Sequence, residues 1–449
     1  MRHVVVMTLT GSVGLTFMFL VDAATLFWVS QLGDQTLMAA VGFAWVIQFF
    51  TISAGIGLAI AGTALVARAI GQNRWEDARL DATGALIIAF TVQAAVAAVV
   101  IVFRDPILSL IGASGEAKVV GSRFLLLSVP SLPIMALGMM GGAILRAAGD
   151  ARRSMQVTLA AGAIAIVLDP FLILDVNTLF GFDLGGQYGL GLGVDGAAIG
   201  VAVSRSITGF LGIWYVVRVH QLAARPRIAC VTRVARPFAK IAGPAIATQM
   251  STPVGNSILT AMIAGYGDSA VAGWSVVSRL TVVAFGGIFA LSGAIGGIIG
   301  QNYGAAALDR VRSTYRDALL FCTIYTLLTW GLMFIGTDLI VAAFQLEGIG
   351  ADVTRAFTQI AAGVFVFTGA LFVANAAFNN LNRPLWSTGL NWMRDAIVIF
   401  PCAWLLAQGF DAPGVVYGQA LAGVIVGTIA TVIGWRYVNS LSVPVAQPA

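Results

Sequence analysis

Ile70-Gly71-Gln72-Asn73 closes a long, glycine-rich apolar run, and the same four residues, Ile299-Gly300-Gln301-Asn302, close another 229 positions later. Other matches keep the same order. Gly33-Asp34 answers Gly267-Asp268, Pro170 answers Pro401, and Gly196-x3-Gly200 answers Gly414-x3-Gly418. Each match is weak alone, but their shared order reads as a tandem duplication. The separations of 234, 231 and 218 shorten at the last pair, as a longer loop at 175–195 in the first copy requires.

Composition sets the solvent in which the two copies fold. Of 449 residues, 59% are hydrophobic and 10% charged, against about 25% charged in soluble proteins. Apolar runs of ~20 residues or more, each enough to cross a bilayer as a helix, recur along the chain. Continuous runs such as 84–102 exclude the alternation of a membrane barrel. The first run, 4–30, is too long for a signal-peptide core and reads as a retained helix. Twelve spans follow, near 4–30, 36–66, 82–103, 121–145, 155–174, 195–219, 240–265, 270–300, 317–343, 354–380, 386–408 and 413–438. The expected fold is an all-α polytopic membrane protein of twelve transmembrane helices. They form two six-helix bundles related by a pseudo-two-fold axis along the membrane normal, because an even-numbered repeat inserts the same way round twice. The expected division is a lobe at 1–219, a basic linker at 220–239 and a second lobe at 240–449.

Arginine is distributed unevenly among the loops. Arg68, Arg74 and Arg79 follow the second span, Arg146, Arg152 and Arg153 the fourth, and Arg310, Arg312 and Arg316 the eighth. Arg218, Arg225, Arg227, Arg233, Arg236 and Lys240 crowd the middle connection, whereas the opposite loops hold Arg104, Lys118, Arg123 and Arg355 beside several acids. The arginine-rich side is therefore read as cytoplasmic, with both termini inside and the protein in the cell inner membrane. The same placement accounts for the net charge of +5 without a nucleic-acid partner. Cys230, Cys322 and Cys402 are far apart, which suggests neither a disulfide framework nor a metal cluster. No G-x-x-x-x-G-K-[ST] loop is present, so ATP-driven pumping finds no support, and neither an enzyme nor a bound cofactor is expected.

Ionised side chains within spans are costly and invite a functional reading. Asp22 in the first span and Asp169 in the fifth lie at comparable depth, ~27 Å and ~21 Å from the arginine-rich face by helical rise, and can share one pocket in the first lobe. A carboxyl there can hold a proton at the outer surface, release it inside and attract a cation when ionised, so proton and cargo would compete for one charge. Arg205 and Arg279 are also mid-span and would neutralise an acid or fill carbonyl acceptors at a helix break. Arg394 and Asp395 are adjacent, so they are expected to point apart and not to pair simply with each other. Gln48, Gln249, Asn256, Asn375 and Asn379 are candidates to line a cleft, or to bond helix to helix. Glycines of the seventh and eighth spans, with Pro253, read first as close packing and second as bending points. Asp34 and Asp268 read as caps of the helices that follow them.

The segments FLVDAATLFWVSQLGDQTLMAAVGFA, LVARAIGQNRWEDAR, ILRAAGDARRS, IAIVLDPFLIL, GVDGAAIGVAVSR and AVAGWSVVSRLTVVAFGGIFALSGAIGGIIGQNYGA together resemble the multidrug and toxic compound extrusion (MATE) family, most closely its DinF-type branch. The resemblance covers nearly the whole chain. It implies a two-lobe antiporter that exports cationic amphiphilic compounds or metabolites, with Asp22 and Asp169 matching the branch's first-lobe cation site. The carboxylates that the NorM-type branch places in the seventh and tenth helices have no counterpart. Ala165 and Val201 stand where the closer branch often has Asn and Thr, and the first helix lacks Pro. These departures weaken an Na+ site more than a proton site, so H+ is placed before Na+. The expected function is a monomeric, H+-coupled efflux antiporter. Its alternatives are a lipid-linked sugar flippase, which would want a basic cleft, and a non-transporting scaffold.

Overall fold

In the computed structural model, residues 2–174, 178–179, 182–183 and 189–442 are described, apart from the side chains of Arg2, His3, Leu15, Asp22, Ala23, Gln35 and the residues at 178–179 and 182–183. The first lobe comprises α1 Arg2–Ser30, α2 Gln35–Gly71, α3 Trp75–Leu110, α4 Gly115–Ala147, α5 Ala151–Ile173 and α6 Val194–Val219. The second comprises α7 Ile228–Ala264, α8 (Asp268–Ala284 with Gly286–Gly304), α9 Leu308–Ile335, α10 Gly348–Asn380, α11 384–410 and α12 412–440. A two-residue antiparallel pair, Thr178–Leu179 with Phe182–Asp183, sits between α5 and α6. Several of these spans depart from a plain apolar rod. α7 starts at Ile228, well before residue 240, and its basic first turns carry Arg233, Arg236 and Lys240. α11 and α12 form one run of helix broken at Asp411 (φ 53°, ψ −138°).

The duplicated glycines do the same job in each lobe. A Cβ on Gly196 would collide with the Leu172 carbonyl of α5, and one on Gly418 or Gly414 with Ala403 or Leu406 of α11. Sixth helix thus lies on fifth and twelfth on eleventh at backbone distance, which is how helices associate where lipid is as apolar as leucine. The duplicated Gly-Asp turns match less closely. Asp34 caps α2, accepting from Thr36 N at 2.7 Å, whereas Gly267 holds the cap position of α8 and Asp268 makes no capping bond among the described residues.

The glycines of α8 pack closely and the span also bends. Its two segments meet at 42° about Phe285 (φ −103°, ψ 15°). α2, its counterpart, is one continuous helix. Beyond the bend, toward the arginine-rich face, α8 packs on α1 and α2, while α2 and α3 pack on α7. Here the repeated tetrapeptides meet. A Cβ on Gly71 would collide with the Gln301 carbonyl, and one on Gly300 would lie 2.8 Å from Ala67 Cβ. Gln301 Nε2 donates to Ala147 O at 2.6 Å, Arg68 Nε to Asn380 O at 3.0 Å, and Arg233 bridges Asp77 and Asp81 at 2.8 and 3.1 Å. Among the described residues, every hydrogen bond and ion pair between the lobes lies toward this face. The lobes are latched at the arginine-rich end.

Candidate functional site

Asp169 lies in the last turn of α5, before Pro170, and is 1% exposed. Its surroundings follow from small residues: Ala165 stands one turn before it, and Gly200 of α6 faces it with no side chain, since a Cβ there would collide with Oδ1. Thr25 of α1 donates its hydroxyl to Asp169 Oδ2. Oδ1 is buried and has no hydrogen-bond partner among the described residues. A carboxylate left ionised with half its acceptors empty costs several kcal/mol, so a buried one is neutralised or filled. Asp22 is in α1, three residues before Thr25; its side chain lies outside the described ones. Thr25 was not among the residues singled out from the sequence. The available signal was a hydroxyl one helical turn after an intramembrane acid.

The other first-lobe candidates form a separate cluster, inside the lobe. Gln48 is fully buried; its Nε2 donates to Ser128 Oγ at 2.9 Å and its Oε1 accepts from Arg205 Nη2. Arg205 Nη1 donates to the Ser128 carbonyl at 3.3 Å. That carbonyl is freed because α4 tightens into a 3₁₀ turn at Val129–Ser131, around Pro130. Arg205 therefore fills a carbonyl at a helix break, one of the two roles expected for it.

In the second lobe the structure corrects one expectation. Arg394 and Asp395 do pair: Nε donates to Oδ1 at 2.6 Å and Nη2 to Oδ2 at 3.0 Å, both residues being buried. The reason is local backbone geometry. Met393–Val398 is a π-helical turn, in which successive side chains diverge by less than the ~100° of an α-helix. Ser251 of α7 donates to Asp395 Oδ2 at 2.8 Å, and the Arg394 guanidinium lies 5.8 Å from the centre of the Phe372 ring. Asn375 accepts from Asn391 Nδ2 at 3.0 Å, and both Asn375 and Asn379 are buried in the lobe. Asn375 bonds helix to helix, whereas the buried Asn379 Oδ1 has no hydrogen-bond partner among the described residues.

Three candidates remain open to the surroundings. Asn256 and Arg279 are exposed and Gln249 is half-buried, and none has a hydrogen-bond or ion-pair partner among the described residues. Their neighbours on α7, Thr252 and Thr260, are exposed too. The exposed faces of α9 and α11 are apolar at Leu328 and Leu332 and at Phe400 and Trp404. The structure thus assembles a buried carboxyl in one lobe, a closed ion pair in the other, and a polar wall on α7 and α8.

The MatE family model matches this chain twice, at residues 12–171 and 244–405, once in each lobe. The chain is similar over 425 residues to the FAD transporter of Shewanella oneidensis, at 24% identity, covering 94% of this chain and 91% of that one. It is 21% identical to the multidrug export protein MepA of Staphylococcus aureus over 430 residues, covering 94% and 90%. Its fold superimposes on the Vibrio cholerae MATE transporter VcmN with a TM-score of 0.89 at 23% identity, covering 98% and 97% of the two chains. Two matched repeats, twelve spans in two lobes and a full-length structural likeness show that the chain belongs to the MatE family of multidrug and toxic compound extrusion transporters.

Proposed function

We propose that the protein is a secondary antiporter that moves amphiphilic organic compounds outward in exchange for protons, with Asp169 and Asp22 as the coupling carboxyls. The observation that carries the reading is the buried Asp169 carboxyl, with one oxygen on Thr25 and the other without a partner among the described residues. One proton on Oδ1 would neutralise it. A sodium ion would need several further oxygens, and Ala165 and Val201 offer no side-chain oxygen nearby. The arginine-rich face is placed toward the cytoplasm, which puts both termini there. The latch described above then leaves the cleft opening outward, where a proton would enter and cargo would leave. Names of similar proteins bring two cargo classes to this chain: an aromatic dinucleotide, FAD, and varied drugs. The flippase alternative rested on a basic cleft; of its three mid-span arginines, Arg205 and Arg394 are engaged within their lobes.

Purified protein in liposomes tests the coupling. An imposed pH gradient should drive ethidium or pyrenebutyrate against its own gradient, and Asp169→Asn should abolish this while the variant still folds. A sodium gradient that drives the same flux at symmetrical pH would overturn proton coupling. No flux of either probe under either gradient would overturn antiport.

A further inference from the structure

We propose that Arg279 is an anion-recognising residue on the second-lobe wall of the cleft, and that the cargo is an aromatic amphiphile bearing a carboxylate or a phosphate. The cleft as cargo path rests on the transport reading above; the charge it prefers does not.

The direction in which Arg279 faces follows from the stripe it belongs to. Below the bend, residues of α8 that meet the first lobe include Gly286 against Thr16, Ala290 against Gly11, Gly297 against the Arg146 carbonyl and Gly304 against that of Arg68. Arg279 precedes them by 7, 11, 18 and 25 residues, spacings that return to one face of a helix. The same stripe, carried past Phe285, leaves the latch. Above the bend no described hydrogen bond, ion pair or ring contact joins the lobes. An arginine aimed at bare lipid carries a large cost; one aimed into a water-filled cleft does not.

The two walls differ in kind. On the second-lobe side Gln249, Thr252, Asn256 and Thr260 make a polar stripe along α7, and Trp274 Nε1 of α8 donates to Thr260 at 3.0 Å, fixing that stripe beside the helix of Arg279. On the first-lobe side the stripe of α2 that meets the second lobe includes Gly57, against Ile246, and Gly71, against Gln301. Phe50 and Val46 precede Gly57 by 7 and 11 residues and are 41% and 46% exposed. A cleft with a phenylalanine on one side and a guanidinium among amides and hydroxyls on the other matches a flat apolar body with an acidic group. Arginine suits carboxylate and phosphate because its planar fork donates two bonds at once.

The test is equilibrium binding to purified protein in a phospholipid-free detergent. The probes are four pyrenes that share one ring and one linker: pyrenebutyrate, pyrenebutyl phosphate, pyrenebutanol and pyrenebutyl-trimethylammonium. The wild type should bind one or both anions more tightly than the alcohol, and the better of the two identifies the headgroup. Arg279→Gln should weaken anion binding about ten- to hundredfold and leave the alcohol unchanged, Arg279→Lys should keep part of the anion preference, and Phe50→Ala should weaken all four. Unchanged anion binding by Arg279→Gln, or tightest wild-type binding of the trimethylammonium probe, would overturn the proposal. Binding needs no gradient, so anion binding without pH-driven flux would sink the antiport reading alone.

Discussion

The Asp169 carboxyl owes its place to an absence at position 200. Were alanine there, its Cβ would collide with Oδ1, forcing the carboxyl off Thr25 or α6 off α5. Overpacking of this kind costs about 1–3 kcal/mol. Gly200→Ala should therefore melt at a lower temperature and lose proton coupling, while Asp169→Ala with Gly200→Ala should recover stability without recovering coupling, since the second methyl fills the space left by the first truncation. A Gly200→Ala protein with wild-type melting and wild-type flux would show that the carboxyl is not seated as described. Asp169 was legible in the sequence because an acid in an apolar run is rare and dear. Gly200 was legible only as half of a repeated Gly-x3-Gly, and Thr25 not at all, because a threonine within a helix usually bonds its own backbone, as Thr25 does to Val21 O at 3.1 Å, and nothing local says when it will also reach a neighbour.

At the scale of elements, boundaries in the sequence were set by charge and proline, and those markers found most of the spans. They erred where a helix runs on through them: α7 already starts at Ile228 and carries Arg233, Arg236 and Pro237 ahead of residue 240. The π-turn of α11 left no mark in the sequence, so the pairing of Arg394 with Asp395 was beyond a reading that assumed ~100° per residue. This pair has a testable energetic signature. Removing one partner of a buried ion pair costs about 3–5 kcal/mol, whereas replacing both by apolar residues of similar size is often neutral. Asp395→Asn should thus lower the melting temperature sharply, and Arg394→Met with Asp395→Leu should restore most of it. Transport retained by the double variant would mark the pair as structural; transport lost despite restored stability would move it into the mechanism.

For the whole molecule, the repeated IGQN was the most informative signal, because the two copies end equivalent helices and then pack against each other at the arginine-rich end. The closed latch makes its own prediction. A Cβ on Gly11 would stand 3.4 Å from Ala290 Cβ, close to the separation a disulfide spans. In a background without Cys230, Cys322 and Cys402, Gly11→Cys with Ala290→Cys should cross-link under oxidation and stop turnover, and reductant should restart it. What the sequence left open was the sense of the cargo charge, since an arginine's facing cannot be known before the bend at Phe285 is.

That charge has a consequence for energy coupling. One proton entering for one univalent cation leaving moves no net charge, so a membrane potential neither helps nor hinders the exchange. One proton entering for one univalent anion leaving carries two positive charges inward, worth about 4.6 kcal/mol per 100 mV at roughly 2.3 kcal/mol per charge. A potassium diffusion potential, inside negative and at symmetrical pH, should therefore drive pyrenebutyrate out of proteoliposomes against its gradient, and Arg279→Gln should reduce the initial rate at low probe concentration. The same potential should leave any proton-for-ethidium exchange unmoved. Flux of pyrenebutyrate that responds to pH but ignores voltage would mean that two compensating positive charges leave with the anion, and the two-charge cycle would have to be given up.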